Sequence, residues 1–233
     1  PLSLLGLSGL LALLAATVRL PQDAGGETER RATPNPPVKS GAFWVFAAIA
    51  VLYAFAEGTF SNWAVIYLRE AKALPVGVAA LALSVFWAAM VAGRLLVAVL
   101  VVRVAPLTIW LMLPMLMIAA FLLLPAANTP ALGLGLFALA GLACSAFFPL
   151  TITLASTRFP EHVAWVSSML IAALMVGVGL GSFAIGSLRE WLALEHLYRL
   201  SALYPVAVLG LALWLTGSRR RVTAEIGAFR SAS

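Results

Sequence analysis

The spacing of charged residues constrains this chain more than any other feature. Between Arg103 and Arg158 lie 54 residues without a single Asp, Glu, Lys or Arg. One helix of that length would extend about 80 Å, whereas a bilayer's hydrocarbon core is about 30 Å thick and needs roughly 20 apolar residues per span. The run therefore predicts two membrane-spanning helices, divided by the turn-forming PAANTP at 125–130.

The same pattern of long apolar runs between short charged clusters continues along the chain. Charged residues make up only 10% of it, against roughly 25% in soluble domains. We therefore predict an all-α polytopic membrane protein with seven transmembrane helices. The predicted spans are roughly 2–18, 42–68, 75–97, 106–124, 131–155, 163–188 and 197–216.

Residues 19–40 are rich in Pro, Gly and charge, a composition typical of a flexible polar linker. The chain begins with Pro and is apolar from the start, without the positively charged beginning of a signal peptide. We therefore expect a fragment that starts inside a helix. The predicted organisation is a truncated helix over 1–18, a linker over 19–40, a six-helix unit over 41–217 and a tail over 218–233.

Basic residues predict the orientation of the spans. If the linker is cytoplasmic, eleven of the fifteen basic residues fall on the cytoplasmic side and four on the opposite side. This bias follows the positive-inside rule and predicts a cytoplasmic linker and tail. The eleven are Arg19, Arg30, Arg31, Lys39, Arg94, Arg103, Arg158, Arg219, Arg220, Arg221 and Arg230, and the four are Arg69, Lys72, Arg189 and Arg199.

Glu57 is an acidic residue in the middle of the second predicted span. The eleven Leu, Ile, Val and Phe residues of that span contribute roughly 3–7 kcal/mol to insertion, against about 3 kcal/mol lost to a central carboxylate. Helical spacing places Tyr53, Glu57 and Ser61 on one face, and no Lys or Arg is expected mid-span. We interpret Glu57 as a proton-carrying or substrate-binding group. The alternative is a protonated Glu that only hydrogen-bonds to a neighbouring helix.

Three further side chains are candidates for the lining of a pathway. Asn62 is suited to hydrogen-bonding hydroxyl groups, and Trp63 offers a face on which sugars or aromatic groups stack. Trp63 is equally well explained as an interfacial anchor. Trp87 lies mid-span in the third helix and faces either a cavity or lipid.

The fifth and sixth spans carry weaker signals. Ser145 and Phe148 are candidate lining residues next to Pro149, which is expected to kink the fifth helix. Gly177 and Gly181 have the GxxxG spacing of close helix–helix packing. The sequence shows no metal site, nucleotide-binding loop or nucleophile–base pair, so we predict no enzyme activity, no cofactor and no nucleic-acid partner.

Two stretches of sequence resemble a known family. AEGTFSNWAVIYLRE (56–70) resembles the seventh helix, and FPLTITLASTRFPEHVAWVSSMLIAALMVGVGLGSFAIGSL (148–188) the tenth and eleventh helices, of fucose-permease-like members of the major facilitator superfamily. One helix, a polar linker, six helices and a tail resemble this superfamily from its sixth helix onward.

The loop GRLLVAVLVVRVAP (93–106) resembles the second copy of the superfamily's G-R-L…D-R-x-G motif, whose charges help to hold a gate. Gly93, Arg94 and Arg103 match this motif. Val102 stands where the family often has an acidic residue and Ala105 where Gly is usual, so these departures put the motif's charge relay on this side in doubt.

The resemblance implies secondary active transport by alternating access, with a small solute such as a sugar bound between two six-helix halves. Glu57 would couple transport to protons. The implied partners are the solute, protons, the lipid bilayer and a missing N-terminal half, and the implied location is a bacterial cytoplasmic (inner) membrane. Two alternatives remain open: proton-driven efflux of amphipathic compounds, and a non-transporting sensor or inactive relic of the same fold.

Overall fold

The structure, a computed structural model, describes the backbone of residues 35–231 and side chains as far as residue 217. Within 35–231 the chain is helical and contains no β-strand. Its longer helices are α1 (Gly41–Asn62), α2 (Val76–Leu100), α3 (Pro106–Leu123), α4 (Pro130–Cys144), α5 (Phe147–Arg158), α6 (Val163–Leu188), α7 (Leu194–Ser201) and α8 (Leu203–Ser231).

Six segments of the described chain are long and apolar enough to cross a membrane. They correspond to the second to seventh predicted spans, and α8 continues through the predicted tail to Ser231. The predicted span 2–18 and most of the linker 19–40 lie outside the described residues. The six segments are Gly41–Asn62, Val76–Leu100, Pro106–Ala126, Pro130–Arg158, Pro160–Leu188 and Leu194–Gly217.

Helix α1 ends at Asn62, six residues before the predicted boundary. A single helical turn, Ala64–Ile66, and a π-helical turn, Tyr67–Ala71, follow it. The apolar pattern continues past the helix because Tyr67 and Leu68 are fully buried in this connection. The apolar residues after Asn62 therefore indicate that this connection is buried and do not indicate that the α-helix continues.

Helix α1 and the segment made of α4 and α5 form the centre of the bundle. In each of these two segments 56% of the most apolar window is buried, against 17% in the segment containing α6. α6 packs along α1 through Gly177, where an added Cβ would lie 2.7 Å from the Ala54 Cβ, and through Gly181. This close contact fixes α1 beside α6 and leaves its opposite side to face α4 and α5.

The segment that contains α4 and α5 is interrupted at its midpoint. α4 ends at Cys144, α5 begins at Phe147, and Ser145 and Ala146 form a turn between them. The sequence predicts a kink at Pro149, and the interruption lies one helical turn before this proline. We call the residues Cys144–Ala146 the helix break.

Candidate functional site

The helix break exposes backbone carbonyl groups that the helix cannot satisfy. The carbonyl of Ser145 would normally accept a hydrogen bond from the N–H four residues later, but that residue is Pro149, which has no N–H. Cys144 is the last residue of α4, and the carbonyls of a last turn also lack intrahelical partners. In a nonpolar environment such groups require donors from other helices.

Arg94 of α2 supplies one of these donors. Its Nε donates a hydrogen bond of 3.0 Å to the Ser145 carbonyl, while its Nη2 lies 3.5 Å from the Met90 sulfur. Side chains on a helix tilt toward its N-terminus, so Arg94 extends from near the end of α2 toward the middle of the bundle. Among the described residues, the two terminal nitrogens of the Arg94 guanidinium have no oxygen acceptor, and Nη2 contacts only the weakly accepting Met90 sulfur.

This position agrees with the predicted span 75–97 and corrects the placement of Arg94 among the loop residues. Arg94 lies inside α2, six residues or about 9 Å before its end, and not in the loop that follows. The expectation that no Lys or Arg lies mid-span is not contradicted, because Arg94 is near the end of α2. Removing Arg94 from the loop residues leaves ten basic residues against four in the orientation count, so the predicted orientation is unchanged.

Gly93 allows α2 to lie close to the helix break. A Cβ at Gly93 would lie 2.6 Å from both the Cβ and the Oγ of Ser145, closer than side-chain atoms pack. The Ser145 hydroxyl is itself buried and donates to the Leu142 carbonyl at 2.7 Å. Gly93 thus brings α2 against the helix break, while Arg103, the third matching residue of the motif, is exposed in the turn after α2.

Tyr53 of α1 supplies the second donor. Its hydroxyl donates to the Cys144 carbonyl at 2.8 Å, and the side chain is almost completely buried. Its ring stacks on Phe148, with centroids 6.2 Å apart and planes inclined by 8°. Tyr53 of α1 is therefore brought against the helix break, beside Phe148 and next to the neighbour of Ser145 in the chain.

Glu57 lies one helical turn after Tyr53 and is half-buried. Within the described part of the chain no Lys, Arg or His nitrogen lies within 4.0 Å of its carboxylate. Ser61, the third residue of the predicted face, donates from its hydroxyl to the Glu57 backbone carbonyl at 2.9 Å and not to the Glu57 carboxylate.

The remaining candidates lie elsewhere. Asn62 turns toward α6 and donates from Nδ2 to the Ser182 hydroxyl at 2.7 Å. Trp63 lies beyond the end of α1, where its ring is 5.5 Å from the Arg189 guanidinium. Trp87 is 46% exposed on α2, two turns before Arg94. The structure therefore does not place Asn62 or Trp63 beside Tyr53.

A group of ion pairs lies in the connections at the end of the bundle where α1 finishes. The Lys72 ammonium is 3.4 Å from Glu195, and its side chain is only 5% exposed. Lys72 also donates to the Pro125 carbonyl. The ion-pair cluster, as we call this group, consists of Glu70, Lys72, Arg189, Glu195 and Arg199.

Taken together, Arg94 and Tyr53 contact the helix break, Phe148 stacks on Tyr53, and Glu57 lies one helical turn from Tyr53. A carboxylate binds and releases protons, a guanidinium binds acceptor groups, and aromatic rings supply apolar contact. The described residues contain no group of three His, Cys, Asp or Glu side chains placed to hold a metal ion.

Six apolar segments long enough to cross a membrane are typical of a polytopic membrane protein, and discontinuous membrane helices occur in many transporters. The family model described as Major Facilitator Superfamily matches residues 2–164, more than two thirds of the chain. The chain therefore belongs to this superfamily, whose members are membrane transporters and not enzymes. Comparisons with curated proteins and with solved structures give no match.

Proposed function

We propose that this chain forms one wall of a proton-coupled secondary transporter that moves a small polar solute, such as a sugar, by alternating access. The solute binds at the helix break, and Glu57 is the group that gains and loses the proton. The observation that carries the proposal is the position of Glu57, half-buried and one turn from Tyr53, which itself contacts the break.

The surroundings of Glu57 support a change of protonation. Charged residues inside membrane spans are rare and usually face a bundle interior or a water-filled cavity. With no basic nitrogen within 4.0 Å in the described chain, its charge is not permanently neutralised. Arg94 of α2 and Glu57 of α1 lie on different helices, so a movement of α2 relative to α1 would change the charge around Glu57.

The proposal extends to the partners that the superfamily implies. A second six-helix unit closes the solute site, the linker 19–40 and the tail face the cytoplasm, and the protein lies in a bacterial inner membrane. The resemblance of residues 56–70 to fucose-permease-like helices supports a sugar as the solute and symport as the mode of coupling.

The test uses the intact protein as its gene encodes it, reconstituted into liposomes with an entrapped pH indicator. L-Fucose, D-galactose and D-glucose are added in turn, and the internal pH and the entry of radiolabelled sugar are recorded. A transported sugar should carry protons inward, and an imposed pH gradient should drive its accumulation. Movement of protons out of the liposomes as the sugar enters would indicate antiport in place of symport.

The variant Glu57→Gln separates coupling from binding. It should abolish gradient-driven accumulation, by at least tenfold, while retaining exchange of labelled for unlabelled sugar. Glu161→Gln is the matched control, because Glu161 is an exposed carboxylate in the turn before α6. Normal accumulation by Glu57→Gln would contradict the proposed role of this residue.

A further inference from the structure

We propose that a cleft at the Arg158 end of the bundle binds an anionic phospholipid of the surrounding bilayer. This Arg158 cleft, of about 260 Å³, lies between α1, α3, α5 and α8. The lipid phosphate contacts Arg158 and part of one acyl chain enters the cleft. This site is separate from the proposed solute site, because Arg158 lies 13 residues, or about 20 Å, along the segment from Ser145.

The walls of the cleft are apolar. Phe46 of α1, Leu107 and Trp110 of α3 and Leu154 of α5 line it. The only polar atom of the Trp110 ring, Nε1, donates a hydrogen bond of 2.8 Å to the hydroxyl of Thr151, a residue that does not line the cleft. The indole consequently presents an apolar surface to the cleft, which suits a hydrocarbon chain.

Arg158 provides the charge at the edge of the cleft. It is the last residue of α5 and is exposed, and no carboxylate among the described side chains lies within 4.0 Å of it. The basic residues Lys72, Arg189 and Arg199 at the other end of the bundle all have a carboxylate partner. As far as the described side chains show, the guanidinium of Arg158 is available for an external anion such as a phosphate, with which arginine pairs well.

The cleft adjoins a surface suited to lipid. α8 contributes Trp214 to the lining, and the same helix carries large apolar side chains that are about half exposed or more. Basic pockets between membrane helices bind anionic headgroups, and the sequence continues with three arginines directly after this part of α8. The exposed apolar residues are Leu203, Val206, Leu213 and Trp214.

The test measures lipid binding by the purified intact protein in detergent. Native mass spectrometry counts bound palmitoyl-oleoyl phosphatidylglycerol or phosphatidylcholine, which have the same chains and differ in headgroup charge. Phosphatidylglycerol should bind more tightly, and Arg158→Gln should weaken its binding about fivefold, since one basic residue contributes about 1 kcal/mol. Arg103→Gln, at an exposed arginine outside the cleft, should leave it unchanged.

A second variant tests the apolar part of the site. Ala42→Phe places a bulky ring at the lining position Ala42 without changing charge, and should reduce binding of both lipids. Equal binding of the two lipids by the native protein, or unchanged phosphatidylglycerol binding by Arg158→Gln, would overturn the proposal. If a segment of the chain itself occupied the cleft, the native protein would bind the two lipids equally and Arg158→Gln would not change phosphatidylglycerol binding.

Discussion

The Nε of Arg94 and the carbonyl oxygen of Ser145 are 3.0 Å apart, although 51 positions separate the two residues in the sequence. The bond exists because Pro149 cannot donate to this carbonyl, so a proline in one span creates the need for a donor from another. One missing N–H in α5 thus connects α2 to the helix break.

Pro149→Ala should restore the missing N–H and join α4 to α5, because an interior proline disfavours a helix by about 3 kcal/mol. Arg94 would then lose its acceptor. We expect transport in liposomes to fall roughly tenfold while thermal stability in detergent does not fall. The control Pro114→Ala changes a proline inside α3, away from the break, and should retain transport. Unchanged transport by Pro149→Ala would show that the break has no role in it.

Arg94→Met should leave the Ser145 carbonyl without a donor inside the bundle. The expected loss of stability is about 1–3 kcal/mol, as for other buried polar groups that lose a partner. Arg103→Met removes an exposed arginine from the following turn and should change stability by less than about 0.5 kcal/mol. Equal effects of the two variants in chemical unfolding would contradict a structural role for the hydrogen bond.

Gly177→Ala should separate α1 from α6. The new Cβ would lie 2.7 Å from the Ala54 Cβ and from the Val51 carbonyl oxygen, and neither backbone can move freely. Overpacking of this kind destabilises by about 1–3 kcal/mol. Gly179→Ala is the matched control on the same helix, because a Cβ there has no neighbour within 4 Å. The comparison is made by thermal unfolding, and similar midpoints for the two variants would refute the close contact.

Lys72 and Glu195 should be energetically coupled. Lys72→Met, Glu195→Gln and the double variant form a cycle, for which we expect an interaction energy of about 1 kcal/mol, reduced by the partial exposure of Glu195 and its second partner Arg199. Glu190→Gln serves as a control for loss of an acidic charge in the same region. Additive effects of the two single changes would mean that the ion pair contributes nothing measurable.

The membrane spans could be predicted from the sequence because insertion depends on composition, which the chain displays directly. The range predicted for α6, 163–188, agrees with the structure, since charged or turn-forming residues flank it on both sides. α1 was harder to delimit, because the connection after Asn62 is as apolar as the helix. The residues of this connection are buried without continuing the α-helix, and hydropathy reports only their burial.

The site was predicted only in part. Helical periodicity indicates that Tyr53 and Glu57 share a face, because that relationship is local. The contact of Arg94 with Ser145 depends on how two distant helices pack, and spacing along the chain does not determine it. One signal was present: Pro149 implies an unpartnered carbonyl four residues earlier. It shows that a donor is needed and does not show which residue provides it.

The helix break also has a consequence for biosynthesis. The segment Pro130–Arg158 emerges from the ribosome after α2, and once in lipid it carries a carbonyl that no residue of its own helix can satisfy. Insertion alone therefore leaves this segment incomplete, and its stability depends on meeting a helix made earlier. Maturation of this protein should proceed through pairing of these two segments, so a defect at Arg94 would appear first as a low yield of folded protein in the membrane.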